Sequence, residues 1–330
     1  MNIDWIDFLK SYNATFTENS EIIFSENNPL NAHSITAIAH LSIIRVTGKD
    51  ASQFLQGQLS CNINELTGSN SFFTAFSNAK GRTISTLLVL KQAENFLLIL
   101  PEELTEKVIN KLRMYILRSE VKIQNVTDES AIIGVTTTNP KLLLIQPETN
   151  FSINNSSEIT IKFPSKDNRY LIVSPVSQAK ALWTQLTQNK NIPISNSNTW
   201  CYQDISAGIA WLTEATSEQY IPQMLNIDKL GGISFNKGCY TGQEIIARTH
   251  YLGKAKRELF LAECNSTARL DNDIQIITEN NQQSTGKVLS LQSNGQTIRL
   301  LIVMPTADSE LKNLIINNSN QDKINLIDFQ

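Results

Sequence analysis

The densest chemistry in the chain lies in Gly231-Gly-Ile-Ser-Phe-Asn-Lys-Gly-Cys-Tyr-Thr-Gly-Gln-Glu244. Four of the chain's 13 glycines fall in this stretch. Glycine admits positive φ and close backbone approach, so the stretch reads as a tight loop. Cys239 sits within it, with Lys237 just upstream and Gly238 and Gly242 on either side. Thr241-x-x-Glu244 has the form of a capping box ahead of the apolar pair Ile245-Ile246, which predicts a helix there. A helix N-terminus and a nearby cation both favour a thiolate. Cys239 is therefore a candidate reactive thiol, and Lys237 the group that would tune it. The competing reading is a small, inert cysteine in a tight turn.

Other chemistries find little support. The remaining cysteines, Cys61, Cys201 and Cys264, are scattered, and no C-x-x-C pair occurs. That argues against a disulfide framework, a zinc ribbon and a thioredoxin motif, and it suggests a reducing, cytoplasmic setting. No metal site is expected. With only His33, His40 and His250, a histidine cluster is absent from the sequence. His250 lies downstream of Cys239, but a Cys–His hydrolase lacks supporting residues. No phosphate-binding G-x-x-x-x-G-K-[ST] run occurs.

Net charge is −3 and the pI is about 5.7, so no direct nucleic-acid binding and no polybasic membrane surface are expected. Apolar runs such as Leu300–Met304 are far shorter than the ~20 residues of a membrane span. The first residues, MNIDWIDFLKSY, lack the basic start of a signal peptide. A length of 330 residues with 41% hydrophobic content predicts two or three domains with sizeable cores.

The elements that would position the motif read as follows. Asp50 is a candidate cap for a helix over 51–59, where Ala51, Phe54, Leu55 and Leu59 recur at helical spacing. Residues 71–77 read as a strand and Asn78–Gly81 as a turn. Arg82–Lys91 and Asn95–Leu100 read as a hairpin. Pro101-Glu-Glu opens a helix striped with Leu104, Val108, Leu112 and Ile116. Another strand follows at 119–126. This makes 48–128 an α+β unit. Short strands are expected at Ala131–Thr136, Leu142–Ile145, Glu158–Phe163 and Tyr170–Val173. Helices are expected at Val176–Thr187 and Trp200–Ala207, and 211–234 is mostly irregular. Beyond Arg257 the texture is β, with Asn294-Gly295 marking a tight hairpin.

Lys237-Gly-Cys-Tyr-Thr-Gly-Gln-Glu244 resembles the signature of the YgfZ-type folate-binding proteins. These maintain iron–sulfur clusters and are related to the glycine-cleavage T-protein, an aminomethyltransferase. Gly48-Lys-Asp-Ala-Ser-Gln-Phe-Leu-Gln-Gly-Gln-Leu59, Ala79-Lys-Gly81, Tyr115-Ile-Leu-Arg-Ser119, Ala207-Gly208, Ile221-Pro-Gln223 and Asn226-Ile-Asp228 resemble further family segments in order. The resemblance spans about 40–260.

It implies an α+β, three-domain ring around a folate-sized cavity. The first domain would be discontinuous, 1–47 and 129–243, and would carry the cysteine motif. A ferredoxin-like unit, 48–128, would be inserted in it, and 244–330 would form a small C-terminal β-barrel. The implied function is that of a folate-binding accessory protein for assembly or repair of iron–sulfur clusters, including those of tRNA-modifying enzymes. Its implied partners are a folate, tetrahydrofolate or a relative, and client enzymes or cluster-assembly proteins. Cys239 and Lys237 would carry the chemistry. Gly238, Tyr240, Gly242, Gln243, Glu244, Trp200 and Asp204 would surround the folate. Two alternatives stand beside this: Trp200 as packing and Glu244 as a helix cap. Gln56, Gln58, Lys80 and Arg118 are candidates for the cavity wall.

Two departures matter. The T-protein carries an acid pair after the glycine-rich turn, and the matching residues here are Ser85 and Thr86. A glutamate that holds the pteridine in the T-protein is matched by Ser206, and the arginine before it by Asp204. A hydroxyl cannot supply a carboxylate's charge-assisted hydrogen bonds, which counts against aminomethyl transfer. The alternative function is a tetrahydrofolate-dependent aminomethyltransferase or demethylase-like enzyme that draws its carboxylate from elsewhere.

Overall fold

A computed structural model describes residues 1–18, 20–25, 33–139, 143, 147–156, 158–253, 255–265, 274–278, 281–310, 313–317 and 322–330. Among these, three sheets dominate. The first has six strands in the order Ile153–Asn155, Ile159–Phe163, Asn168–Pro175, Ser130–Thr137, Ser34–Ile38 and Ile194–Ser195. All its pairings are antiparallel except that of Ile194–Ser195 with Ser34–Ile38.

The sheet is buried on both sides, and the two-residue period of a strand divides its side chains. Ile35, Ala37, Ile133, Val135, Tyr170 and Ile172 face a core that includes Trp5 and Trp183. Ile132, Leu171 and Val173 face the larger core that contains Trp200.

The second sheet runs Ser71–Ser77, Thr83–Gln92, Asn95–Pro101, Leu41–Thr47, Lys122–Asn125, all antiparallel. The expected hairpin and the turn at Asn78–Gly81 are present, the turn closed by the Gly81 amide donating to the Asn78 carbonyl at 2.9 Å. The strand Leu41–Thr47, read from sequence as part of the first unit, pairs inside this sheet. Its local pattern says strand, but nothing local says which sheet it joins. Asp50 holds the N-cap position of the helix Ala51–Gln56, and its carbonyl accepts from the Phe54 amide at 2.8 Å, but its side chain makes no capping hydrogen bond. Its carboxylate instead accepts from the Glu120 amide at 2.7 Å and ties the helix start to the loop before the last strand.

The third body is a closed six-stranded barrel, in the order Arg257–Cys264, Ile298–Pro305, Asn281–Ser293, Gln275–Thr278, Leu314–Ile316, Lys323–Ile327. Closure removes the exposed edges that an open sheet would present. The Asn294 amide donates to the Thr297 carbonyl at 3.1 Å, making the expected hairpin turn. The strand expected at Leu142–Ile145 lies outside the described residues, Leu143 apart. The helix expected to reach Thr187 is α-helical over Val176–Thr184 and widens into a π turn over Gln185–Asn189. No helix among the described residues is long and apolar enough to cross a membrane.

The helix Ser197–Ser206 packs on the strand Ser34–Ile38 of the six-stranded sheet and on the barrel strands Asn281–Ser293 and Ile298–Pro305. Trp200 on this helix is fully buried. Its ring packs over Gly134, where an added Cβ would come within 2.3 Å of it. The Arg169 guanidinium lies 4.4 Å from the ring centroid. Arg169 in turn pairs with Asp204 at 2.7 Å, both side chains essentially inaccessible to solvent. Breaking such a pair leaves a bare buried charge, whereas replacing both members with apolar groups need not. Asp204→Ala is therefore expected to cost about 3–5 kcal/mol. Arg169→Met with Asp204→Leu should recover most of that loss. Urea denaturation of the two variants checks this.

Candidate functional site: a clamped cysteine loop and a three-body cavity

The glycine-rich stretch has little regular structure, so its backbone groups must find partners elsewhere. They find them on residues 57–61 and on Thr74. The Ser234 amide donates to the Ser60 carbonyl at 2.9 Å. The Ser60 and Thr74 hydroxyls donate to the Gly232 carbonyl at 2.7 and 2.9 Å. Lys237 Nζ donates to two carbonyls, Leu59 at 2.8 Å and Cys61 at 2.7 Å. The Thr241 amide donates to the Gly57 carbonyl at 3.1 Å. The chain is thus tied down before and after Gly238 and Cys239. Both of these are exposed, at the apex of a short arch.

The helix beyond the arch starts at Gln243 and ends at Tyr251. The expected capping box is not formed. The N-cap is Gly242 at φ 81°, which offers no side-chain acceptor. Gln243 folds back instead, and its Oε1 accepts from the Tyr240 amide at 3.1 Å. The reason is a close approach: a Cβ on residue 242 would lie 2.4 Å from the Asn78 carbonyl oxygen and 2.9 Å from Gly81 Cα. Two segments with family-like sequences, Ala79–Gly81 and the cysteine motif, therefore touch through bare backbone.

Lys237 does not sit as the tuner of Cys239. Its ammonium points at the Leu59 and Cys61 carbonyls and lies 4.8 Å from the Tyr240 ring centroid. Burial lowers its pKa to about 8. The Tyr240 phenol, also desolvated, is raised to about 12. The Cys61 thiol, fully buried nearby, is raised by desolvation to about 11. Glu244 is exposed, and Glu244 and Arg248 make no ion pair. His250 stacks on Phe235, with ring centroids 3.7 Å apart, rather than pairing with Cys239.

Trp200 and Asp204 stand apart from this arch. Trp200 belongs to the core, with its ring covered by Arg169, Gly134 and Phe163. Asp204 lines a cavity of about 270 Å³ between the three bodies. His40 and Pro101 come from the end of the second sheet, Cys201 and Asp204 from the helix, and Leu289 and Gln292 from the barrel. One Asp204 oxygen accepts from Arg169 at 2.7 Å and the other from the Trp211 indole at 2.9 Å. Desolvation raises the Asp204 pKa against the pull of Arg169.

Cys201 Sγ lies 3.7 Å from His40 Nδ1. Desolvation pushes that thiol far up and brings the imidazole down to about 4, so both are neutral at pH 7. This Cys–His contact joins residues 161 apart in sequence, and no local pattern announces it.

The hydroxyl residues that the resemblance sets against T-protein carboxylates have structural duties. The Ser85 hydroxyl donates to the Thr86 carbonyl at 2.8 Å. The Thr86 hydroxyl donates to the Ala210 carbonyl at 2.7 Å and accepts from the Leu212 amide at 3.2 Å. Both side chains are fully buried. The Ser206 hydroxyl donates to the Tyr202 carbonyl at 2.6 Å.

Residues 16–156 match the GCVT N-terminal domain family. The fold as a whole is similar to a crystal structure of the glycine cleavage system aminomethyltransferase T from Bartonella henselae. That likeness has a TM-score of 0.76 at 13% identity and covers 99% of this chain and 96% of that one. A partial likeness, with a TM-score of 0.34 at 9% identity, is to the heterotetrameric sarcosine oxidase from Corynebacterium sp. U-96, solved with pyrrole 2-carboxylate. It covers 46% of this chain and 80% of that one. The chain thus has the T-protein fold, C-terminal barrel included. The family match is confined to residues 16–156, and the likeness over the rest of the chain is one of fold.

Two outcomes follow. In the native protein, a maleimide should label Cys239 rapidly and leave the buried Cys61 and Cys264 unlabelled until denaturant is added. Lys237→Met should cost about 1–3 kcal/mol, because two inward carbonyls lose their donor. The pH dependence has a definite sign. The folded pKa, about 8, lies below the unfolded value, about 10.4, so between them the unfolded chain holds the extra proton. Wild type should therefore gain stability relative to Lys237→Met as pH rises from about 8 to about 10, as read by urea midpoints.

Proposed function

We propose that this chain is a folate-binding accessory protein of the YgfZ type. In this reading it uses the Cys239 thiol in assembly or repair of iron–sulfur clusters in client enzymes, tRNA-modifying ones included. The observation that carries the proposal is the arch: an exposed thiol held by a backbone clamp, within a sequence that resembles the family signature. The hydroxyls at 85, 86 and 206 add support, since each is committed to backbone groups and none offers a carboxylate.

The cluster is cargo in this proposal. A cluster usually takes four thiolates, and one cysteine supplies one, so the client or an assembly protein supplies the others. An exposed apex lets a second protein reach the sulfur. Lys237 acts as a positioning residue, holding the arch through the carbonyls of residues 59 and 61.

The cavity between the three bodies fits the ring end of a folate. The Trp211 indole and Leu212, Ile205 and Leu289 give apolar walls, and Asp204, Glu21 and Glu103 give hydrogen-bond acceptors for ring amines. Its volume of about 270 Å³ is below that of most whole-ligand pockets, so it would take the ring and not the tail. A bound folate would supply one-carbon or redox chemistry. The chain's own part is to bind the ring, exclude water and hold the Asp204 carboxylate fixed between Arg169 and Trp211.

The test is complementation of a strain that lacks the protein, with a cluster-dependent client enzyme assayed. Cys239→Ala should fall to near the deletion level while its melting temperature stays that of wild type, because the side chain is exposed. Full activity from that variant would remove the thiol from the proposal. The second reading, a one-carbon transferase, draws on the whole-chain T-protein fold and on the Asp204 carboxylate facing the cavity. Methylene-tetrahydrofolate formed from an aminomethyl donor would favour it.

A further inference from the structure

The barrel strand Ile298–Pro305 carries Arg299, a cation without an ion pair among the described residues. Its guanidinium lies 4.8 Å from the Tyr202 ring centroid, and the ring's hydroxyl is fixed by Thr297 at 2.9 Å. One terminal nitrogen of Arg299 donates to the Ser206 hydroxyl and, at 3.0 Å, to the Gln330 side-chain oxygen. Its Nε is buried and has no partner. A half-buried guanidinium left with neutral acceptors is under-satisfied, because its fork of donors is matched best by a carboxylate.

The acceptor in place comes from the last residues of the chain. The Gln330 amide donates to the Ser206 carbonyl at 2.8 Å. The Phe329 ring lies flat enough on Gly208 that a Cβ there would meet two ring carbons at 2.9 Å. Gly208 holds φ 72°, a conformation that favours glycine, so backbone and ring meet directly. Phe329 is 42% exposed, so its ring is packed on one side and open to an incoming group on the other. The tail therefore presents, in order, an aromatic ring, an amide N–H and a side-chain carbonyl aimed at a guanidinium.

That order is also the chemistry of an aroylated glutamate. We propose that Phe329 and Gln330 form a displaceable latch over a subsite for such a group. The latch lies beside the ring cavity: Gln292, which lines the cavity, is one cross-strand partner of Arg299, and Glu263, which makes no ion pair with it, is the other. In a folate this group is the p-aminobenzoyl-glutamate tail, so the inference deepens the folate reading and rests on it for its physiological ligand. An incoming carboxylate replaces the Gln330 carboxamide on Arg299, exchanging a neutral hydrogen bond for a charge-assisted one. The aryl ring replaces Phe329 on Gly208. The closed latch lowers the apparent affinity by the fraction of molecules in which it is shut.

The experiment measures p-aminobenzoyl-L-glutamate and tetrahydrofolate by titration calorimetry against four proteins. These are the full chain, a chain ending at residue 328, the full-length Phe329→Ala/Gln330→Ala variant, and the last combined with Arg299→Gln. The full-length double variant keeps the test open if truncation harms folding. Opening the latch should tighten p-aminobenzoyl-glutamate binding about tenfold, and Arg299→Gln should abolish the gain. Unchanged or weaker binding on opening the latch overturns the proposal, as does a gain that survives Arg299→Gln or an absence of p-aminobenzoyl-glutamate binding to every form. The tetrahydrofolate arm separates the two ideas. A latch effect on p-aminobenzoyl-glutamate without tetrahydrofolate binding would sink the folate reading alone. Tetrahydrofolate binding indifferent to the latch would sink the latch alone.

Discussion

The site hangs on a backbone constraint. Residues 57–61 and 232–241 have almost no helix or ladder of their own, yet they lie against each other, and residues 58–61, 232 and 233 are buried there. Every buried carbonyl and amide there needs a partner. The partners are mutual: Ser60 with Ser234 and Gly232, Gly57 with Thr241, and Lys237 bridging Leu59 and Cys61. The lysine is desolvated for this task, which is why its pKa falls. What looks in sequence like a charge set beside a thiol is a clamp that fixes the thiol's loop and leaves its apex free.

Apart from that clamp, a second polar device, the buried Arg169–Asp204 pair, ties the six-stranded sheet to the helix that packs on the barrel. Arg169 comes from the six-stranded sheet, and Asp204 from the helix that touches the barrel. Trp200 covers the guanidinium from one side and Trp211 donates to the carboxylate. The pair is costly to desolvate and equally costly to break, so it favours one arrangement of helix, sheet and cavity wall. The same helix supplies Cys201 and Asp204 to the cavity and Ser206 to the Arg299 cluster. Cavity and tail are therefore neighbouring features of one junction.

Much of the fold was legible from local pattern. The hairpin Thr83–Gln92 with Asn95–Pro101, the amphipathic helix Thr105–Arg113, and the barrel strands flanking Asn294-Gly295 all follow from period and turn chemistry. The sheet that takes Leu41–Thr47 was not legible, because pairing is decided by partners far along the chain. The short strands Leu314–Ile316 and Lys323–Ile327 also escaped, being too brief to show alternation, and only barrel closure makes them strands.

For the site, the sequence by itself marked Cys239, its glycines and Lys237 as one unit, and the family resemblance set hydroxyls at 85, 86 and 206 against carboxylates of the T-protein. Residue type and order decide those points. The tertiary structure decided what the residues do. It turned Lys237 away from the thiol, moved the helix cap from Thr241 to Gly242 by pressing that residue on Asn78 and Gly81, and buried Trp200 against Arg169. It also brought His40 to Cys201 and the chain's last residues to Arg299. Those outcomes rest on desolvation and close approach between distant segments, and neither is encoded in any short stretch of the chain.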